Sequence, residues 1–102
     1  MQIVVTIDPD AVTLDEPDAF TSFAVTAPAG AAADLDAHLG PIGRYDGEHV
    51  WVDREELAAL AGPKATDPDW QSGLAAMVDY ARKSGFLSED GTAIRAHVEW
   101  DG

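Results

Sequence analysis

Residues 42–61 read IGRYDGEHVWVDREELAALA, and this stretch indicates a β-hairpin that runs directly into a helix. Asp46 and Gly47 separate two short segments, 42–45 and 48–52, that have strand-like composition. An Asp-Gly pair in this position is typical of a two-residue type I′ turn, whose central residues both need a positive φ. A strand pair followed at once by a helix favours an α+β fold.

The helix at 54–61 carries three independent start and stop signals. A capping residue lies just before it, a glutamate three residues later completes a capping box, and two apolar residues are placed to form a hydrophobic staple. A Gly-Pro pair then ends the helix. In order, these positions are Asp53, Glu56, the Val52 and Leu57 pair, and Gly62-Pro63.

The C-terminal third predicts a longer helix and a strand. Asp67 precedes Pro68, a residue suited to the first helical position, and Gly85 is typical of a left-handed C-cap with Phe86 as its apolar partner. The apolar positions fall on one helical stripe, formed by Trp70, Leu74, Met77, Val78 and Ala81. Residues 92–100 alternate as a strand, with Ile94, Val98 and Trp100 on one face and Arg95, His97 and Glu99 on the other.

The N-terminal part predicts strands at 2–7 and 20–26, a turn at 8–10, a loop at 10–18, and a short helix within 29–39 that Asp34 caps. The order of elements does not alternate strictly between strand and helix. We therefore predict a single α+β domain over residues 1–102. It has a four- to five-stranded antiparallel or mixed sheet, with two to three helices packed on one face.

Charge is the unusual bulk property of the chain. Nineteen acidic residues against six Lys and Arg give a net charge of −13, and every Lys and Arg lies from Arg44 onward. Such a field repels phosphate backbones and anionic lipid, so neither nucleic acid nor membrane is expected as a partner. A basic protein partner is one interpretation, nucleic-acid mimicry is another, and simple solubility is the third.

Other classes of function lose support from what the sequence lacks. There is no cysteine, which excludes disulfides and thiolate zinc sites. No phosphate-binding glycine loop, zinc-protease motif or nucleophile elbow occurs, so we predict no cofactor and no metal. The first ten residues do not resemble a secretory signal, and no segment is apolar enough to cross a membrane, so a cytoplasmic location is expected.

His49 and His97 lie in similar strings, EHVWVD and AHVEWD. If their two strands are neighbours, the imidazoles could converge with Asp53 and Glu99. That set could run acid–base chemistry or hold a divalent ion. Two half-exposed strand histidines without a joint role are the simpler interpretation.

Arg44 and the aromatic residues complete the candidate set. The hairpin register predicted above places Tyr45 opposite Glu48, and Arg44 opposite His49. Arg44 beside Tyr45 could bind a carboxylate or phosphate, although an ion pair with Glu48 is simpler.

Of the three tryptophans, Trp70 is expected in the core. Trp51 and Trp100 are candidate interface anchors, because aromatic residues are enriched at interfaces.

The last 35 residues, a helix followed by GFLSEDGTAIRAHVEW, resemble the recognition helix and wing of winged-helix proteins. The helix would present Asp69, Gln71, Asp79 and Tyr80, with only Arg82 and Lys83 as bases. Glu89 and Asp90 would give the wing the wrong charge for phosphate. The resemblance therefore implies protein contacts rather than DNA binding.

These observations support two hypotheses. The first is a non-enzymatic protein-interaction or accessory domain that forms a homodimer. The second is a small enzyme or ligand-binding domain with a pocket around His49, His97 and Arg44.

Overall fold

The computed structural model, which describes residues 1–7 and 10–101, contains six strands and three α-helices within that part. The strands are β1 (Gln2–Ile7), β2 (Asp10–Asp15), β3 (Ala24–Pro28), β4 (Gly43–Tyr45), β5 (His49–Asp53) and β6 (Ala93–Asp101). The helices are α1 (Leu35–Leu39), α2 (Arg54–Ala61) and α3 (Pro68–Ser84), with short 3-10 helices at Ala29–Ala31, Gly40–Ile42 and Gly62–Thr66. The predicted α+β class is confirmed, but the sheet has six strands instead of four or five.

All six strands form one mixed sheet in the order β2-β1-β3-β6-β5-β4. β1 pairs with β3 and β3 with β6 in parallel, and the other neighbours are antiparallel. β6 is thus an inner strand between β3 and β5. The resemblance to winged-helix proteins does not extend to this sheet, because the supposed wing strand lies at its centre.

The additional strand, β2, falls where the sequence predicts a loop at 10–18. It pairs with β1 along its whole length, from Gln2 opposite Asp15 to Ile7 opposite Asp10. It is an edge strand with acidic ends and only Val12 and Leu14 packed on the core, so its apolar alternation is too short to identify it alone. Of the predicted turn at 8–10, Asp8 and Pro9 lie outside the described residues.

The predicted start of the next strand was also wrong. Residues 20–23 precede β3, which begins at Ala24. This four-residue difference leaves two phenylalanines, Phe20 and Phe23, in a connecting segment instead of in the sheet.

The predicted register of the β4–β5 hairpin was wrong. Tyr45 pairs with Val50 and Arg44 with Trp51, so four residues, 46–49, connect the paired positions. The carboxylate of Asp46 accepts from the backbone N–H of Glu48 at 2.9 Å and of His49 at 2.7 Å. It also accepts from the indole N–H of Trp51 at 3.1 Å. The side chain therefore supplies acceptors that a two-residue turn would take from the backbone.

Asp46→Asn should lower the melting temperature at pH 7, and its difference from wild type should shrink as the pH falls from about 5 to 2. The N–H groups of His49, Glu48 and Trp51 lower the pKa of Asp46 to about 2. A lowered pKa stabilises the fold above the unfolded value of about 3.9, and this contribution is lost on acidification. Thermal melts across this range provide the measurement. Glu48→Gln removes the same charge from the same loop, and an equal loss at pH 7 would contradict the assignment.

The helices α2 and α3 begin and end where the local signals placed them. Asp53 accepts from the N–H groups of Glu55 and Glu56 at 2.9 and 3.0 Å. After α3, Gly85 takes a φ of 79°, and the N–H of Phe86 donates to Ala81 at 2.7 Å, which is a Schellman ending. α1 is only five residues long, and Asp34 makes no side-chain cap hydrogen bond to it. Among the described helices, none has the length and apolar character needed to cross a membrane.

The core lies on one face of the sheet. Its strand residues alternate along each strand and pack with buried residues of all three helices. The predicted α3 stripe is confirmed, with Trp70 only 2% exposed. The members, apart from Met1, are Ile3, Val5, Val25, Ala27, Val50, Val52, Ile94 and Ala96 from the sheet, and Leu35, Leu39, Leu57, Trp70, Met77, Val78 and Ala81 from the helices.

Candidate ligand-binding cleft

His49 and His97 are directly opposite each other on neighbouring strands, β5 and β6. They lie on the sheet face that points away from the core, because the buried Val50 and Ala96 next to them point into it. Two positions further along, Trp51 is paired with Arg95. The strand order thus brings together two histidines whose proximity could not be judged from the sequence.

A cleft opens beside these residues. On the side of β6 opposite β5, two different segments lie one after the other along the strand, with a gap between them. β3 begins at Ala24, which pairs with His97. Earlier in β6, the flanking segment is the one that follows α3, and the N–H of Arg95 donates to the carbonyl of Phe86 at 2.7 Å. The gap between the two segments leads towards α3 and encloses a volume of about 480 Å³.

Aromatic and apolar side chains line most of this cleft. All three phenylalanines of the chain are present, together with Met77 and Tyr80. Tyr80 is 66% exposed at the rim, whereas Met77 is buried in the floor. The full lining is Phe20, Thr21, Ser22, Phe23, His49, Met77, Tyr80, Ala81, Phe86, Ile94, Arg95 and His97.

The polar side of the cleft carries bases. Arg95, His49 and His97 line it, and no Asp or Glu does so among the residues that the structure describes. The guanidinium carbon of Arg95 lies 4.4 Å from the centre of the Phe86 ring, a cation–π arrangement. Nε2 of His97 lies 3.1 Å from a carboxylate oxygen of Glu99, which is outside the lining.

The wall formed by residues 17–23 is anchored at several points. The Phe20 ring packs on Trp70 of α3 with centroids 6.2 Å apart, and the Trp70 indole N–H donates to the carbonyl of Pro17 at 2.9 Å. The Met1 nitrogen donates to the carbonyls of Ala19 and Ser22 at 2.8 and 3.0 Å. The wall is therefore held by Met1, which precedes β1, and by α3, which favours a preformed cleft.

The structure does not bring Arg44 to the histidines. Arg44 is exposed in a separate hollow of about 260 Å³, which Trp51 shares and which the acids Asp53 and Asp90 also line. In the cleft, the guanidinium beside His49 and His97 is that of Arg95.

The other predicted residues lie outside the lining of the cleft. Tyr45 and Trp100 form an edge-on aromatic pair with centroids 6.0 Å apart, and Trp100 is 41% exposed. The Trp51 indole bonds to Asp46. Glu99 touches His97 at the outer face. None of these four residues is among the lining of the cleft.

The aromatic lining does not follow from the sequence. The sequence patterns predict Phe20 and Phe23 in a strand, Phe86 at a helix cap and Tyr80 on an exposed helix face. They place Arg95 only beside His97 on one strand face. One sequence feature indicated part of the lining. Phe86 and Arg95 lie on either side of the single turn at 88–91, so their side chains can come into contact.

A metal site in the cleft would need several ligands that converge on one point. Among residues 1–7 and 10–101, no group of three or more His, Asp or Glu side chains is placed to hold a metal ion. The cleft offers apolar contact surface, a guanidinium and two imidazoles. No family model, no curated protein and no solved structure matches this chain.

Proposed function

We propose that this protein is a binding domain whose cleft takes up the apolar part of a small ligand. The observation that carries the proposal is the collection of all three phenylalanines, with Tyr80 and Met77, around one opening. Large aromatic side chains ordinarily pack in the core or against a partner, because leaving them in contact with water costs free energy.

The size of the cleft fits such a ligand. Small-molecule sites are commonly about 300–1,000 Å³ and are lined mainly by apolar and aromatic groups with a few polar ones. The cleft, at about 480 Å³, lies within this range. It has room for a ligand of one or two fused rings, whose rings can pack edge-to-face on the phenylalanines.

Titration with naphthalen-2-ylmethanol, followed by ligand-observed NMR, tests the proposal. We expect saturable binding at one site. Tyr80→Ala should weaken it by about 2- to 12-fold, which corresponds to the 0.5–1.5 kcal/mol of an aromatic pair. Tyr80 is mostly exposed, so this variant should fold normally.

Trp100→Ala is the matched control, because it removes an exposed aromatic side chain outside the cleft. Its affinity should stay within about twofold of wild type. Absence of saturable binding to the wild-type protein, or equal losses in both variants, would overturn the proposed function.

The protein-interaction hypothesis, with a homodimer, a basic protein partner and a cytoplasmic location, is the second candidate. The exposed Trp100 next to Tyr45 favours it, since paired aromatics at a surface are typical of interface anchors. Sedimentation at micromolar concentration should show a dimer that Trp100→Ala weakens. A strict monomer would remove the dimer from this hypothesis.

A further inference from the structure

We infer that the ligand of the cleft is a small aromatic carboxylate and that Arg95 binds its carboxylate group. This inference rests on the proposed function and names the chemistry of its ligand. It follows from the distribution of charge around the cleft and from the contacts of the Arg95 side chain.

Acidic side chains outnumber basic ones in the whole chain, but only basic ones line the cleft among the described residues. The protein has nineteen acids, six Lys and Arg and three histidines. Three of these nine basic side chains line the cleft, whereas none of the acids that the structure describes does. The net charge of the whole chain favours cations, whereas the cleft offers an anion N–H donors beside apolar surface.

Arg95 is distinguished from most other cations by its contacts. Lys64 pairs with Asp18, Arg82 and Lys83 pair with Asp79, and Arg54 donates to the carbonyl of Gly91.

The guanidinium of Arg95 lies over the Phe86 ring, and within the described part of the chain no carboxylate is within 4.0 Å of it. A guanidinium has five N–H donors in a planar fork that matches a carboxylate. Its donors are thus available to a ligand whose ring packs against the phenylalanines.

Three probes of nearly the same shape separate charge from shape: naphthalene-2-carboxylate, naphthalen-2-ylmethanol and naphthalen-2-ylmethylammonium. At pH 7.5 and physiological salt we expect the carboxylate to bind about five- to tenfold more tightly than the alcohol. The cation should bind more weakly than the alcohol. Because the net charge of the whole protein repels anions, a preference for the carboxylate must come from the local donors.

Arg95→Met keeps an unbranched apolar side chain over Phe86 and removes the charge. It should bring the carboxylate-to-alcohol ratio to within about twofold of unity, whereas Arg95→Lys should retain part of the ratio. Arg44→Met makes the same change in net charge in the separate hollow, and it should preserve the ratio.

The outcomes distinguish this inference from the proposed function. If all three probes bind equally, or if the cation binds best, the carboxylate assignment is wrong while the cleft function stands. If Arg44→Met and Arg95→Met reduce the ratio equally, the effect is general electrostatics and the role of Arg95 is refuted. If none of the probes binds, the proposed function itself fails.

Discussion

Trp70→Ala should destabilise the protein by about 3–5 kcal/mol, the usual cost of removing a large aromatic side chain from a core. Trp70 is 2% exposed, packs on Phe20 and donates its indole N–H to Pro17. The truncation leaves a cavity between α3 and the wall at 17–23, and leaves the Pro17 carbonyl without this donor. For a domain of this size the melting temperature should fall by about 12 °C or more.

Thermal and urea melts of Trp70→Ala and Trp100→Ala form the matched comparison. Trp100 is 41% exposed and loses mainly its edge contact with Tyr45, so its variant should lose no more than about 1 kcal/mol. Similar losses in the two variants would mean that Trp70 does not hold the wall of the cleft to α3.

Gly73→Ala should destabilise the protein by about 1–2 kcal/mol, although alanine is the better helix former by about 1 kcal/mol. Gly73 lies within α3, and a Cβ atom there would overlap the carbons of the Phe20 ring. The Phe20 ring would have to move away from α3 and would lose its packing on Trp70. Because Phe20 also lines the cleft, binding of the neutral naphthalene probe should weaken at the same time.

The effect of Gly73→Ala on the free energy of unfolding should change sign when Phe20 is removed. In a Phe20→Ala background the overlap is gone, and the same Gly73→Ala substitution should stabilise the protein by about 0.5–1 kcal/mol. A double-mutant cycle from urea melts gives the coupling directly. Stabilisation in both backgrounds, or destabilisation in both, would contradict the contact between Gly73 and Phe20.

The elements that the sequence predicted well are those specified by neighbouring residues. The start of α2 depends on Asp53 and on N–H groups two and three residues later. The end of α3 depends on Gly85 and on a bond from Phe86 to Ala81. Each interaction is complete within a few residues, so residue types and spacing suffice to predict it.

The register of the β4–β5 hairpin could not be predicted from neighbouring residues alone. The Asp-Gly pair correctly marked a turn, but β5 also pairs with β6 at five positions, from His49 to Asp53. That pairing places Val50 and Val52 in the core, and it would do so in the predicted register too, because the two registers differ by two residues. In the observed register the Asp46 carboxylate accepts from the N–H groups of Glu48 and His49 and from the Trp51 indole, and the Asp-Gly pair alone does not specify these bonds.

The cleft could not be predicted because no single stretch carries it. Its lining comes from the segment before β3, from the last two turns of α3, from Phe86 and from two inner strands. The sequence did indicate His49 and His97 as candidate site residues. The arginine that lies beside them is Arg95 of β6, whereas the predicted one was Arg44. Which residues meet depends on strand order, a property of the whole fold.

Amide chemical-shift mapping of the full chain with naphthalene-2-carboxylate tests the central claim most directly. If the cleft is the binding site, the largest and saturable shifts will fall on the amides of residues 20–23, 77–81, 86 and 94–97. The amides of Tyr45 and Trp100, whose side chains lie outside the lining, will move less. Largest shifts at Tyr45 and Trp100, or shifts that grow without saturation across the surface, would contradict the assignment of the cleft.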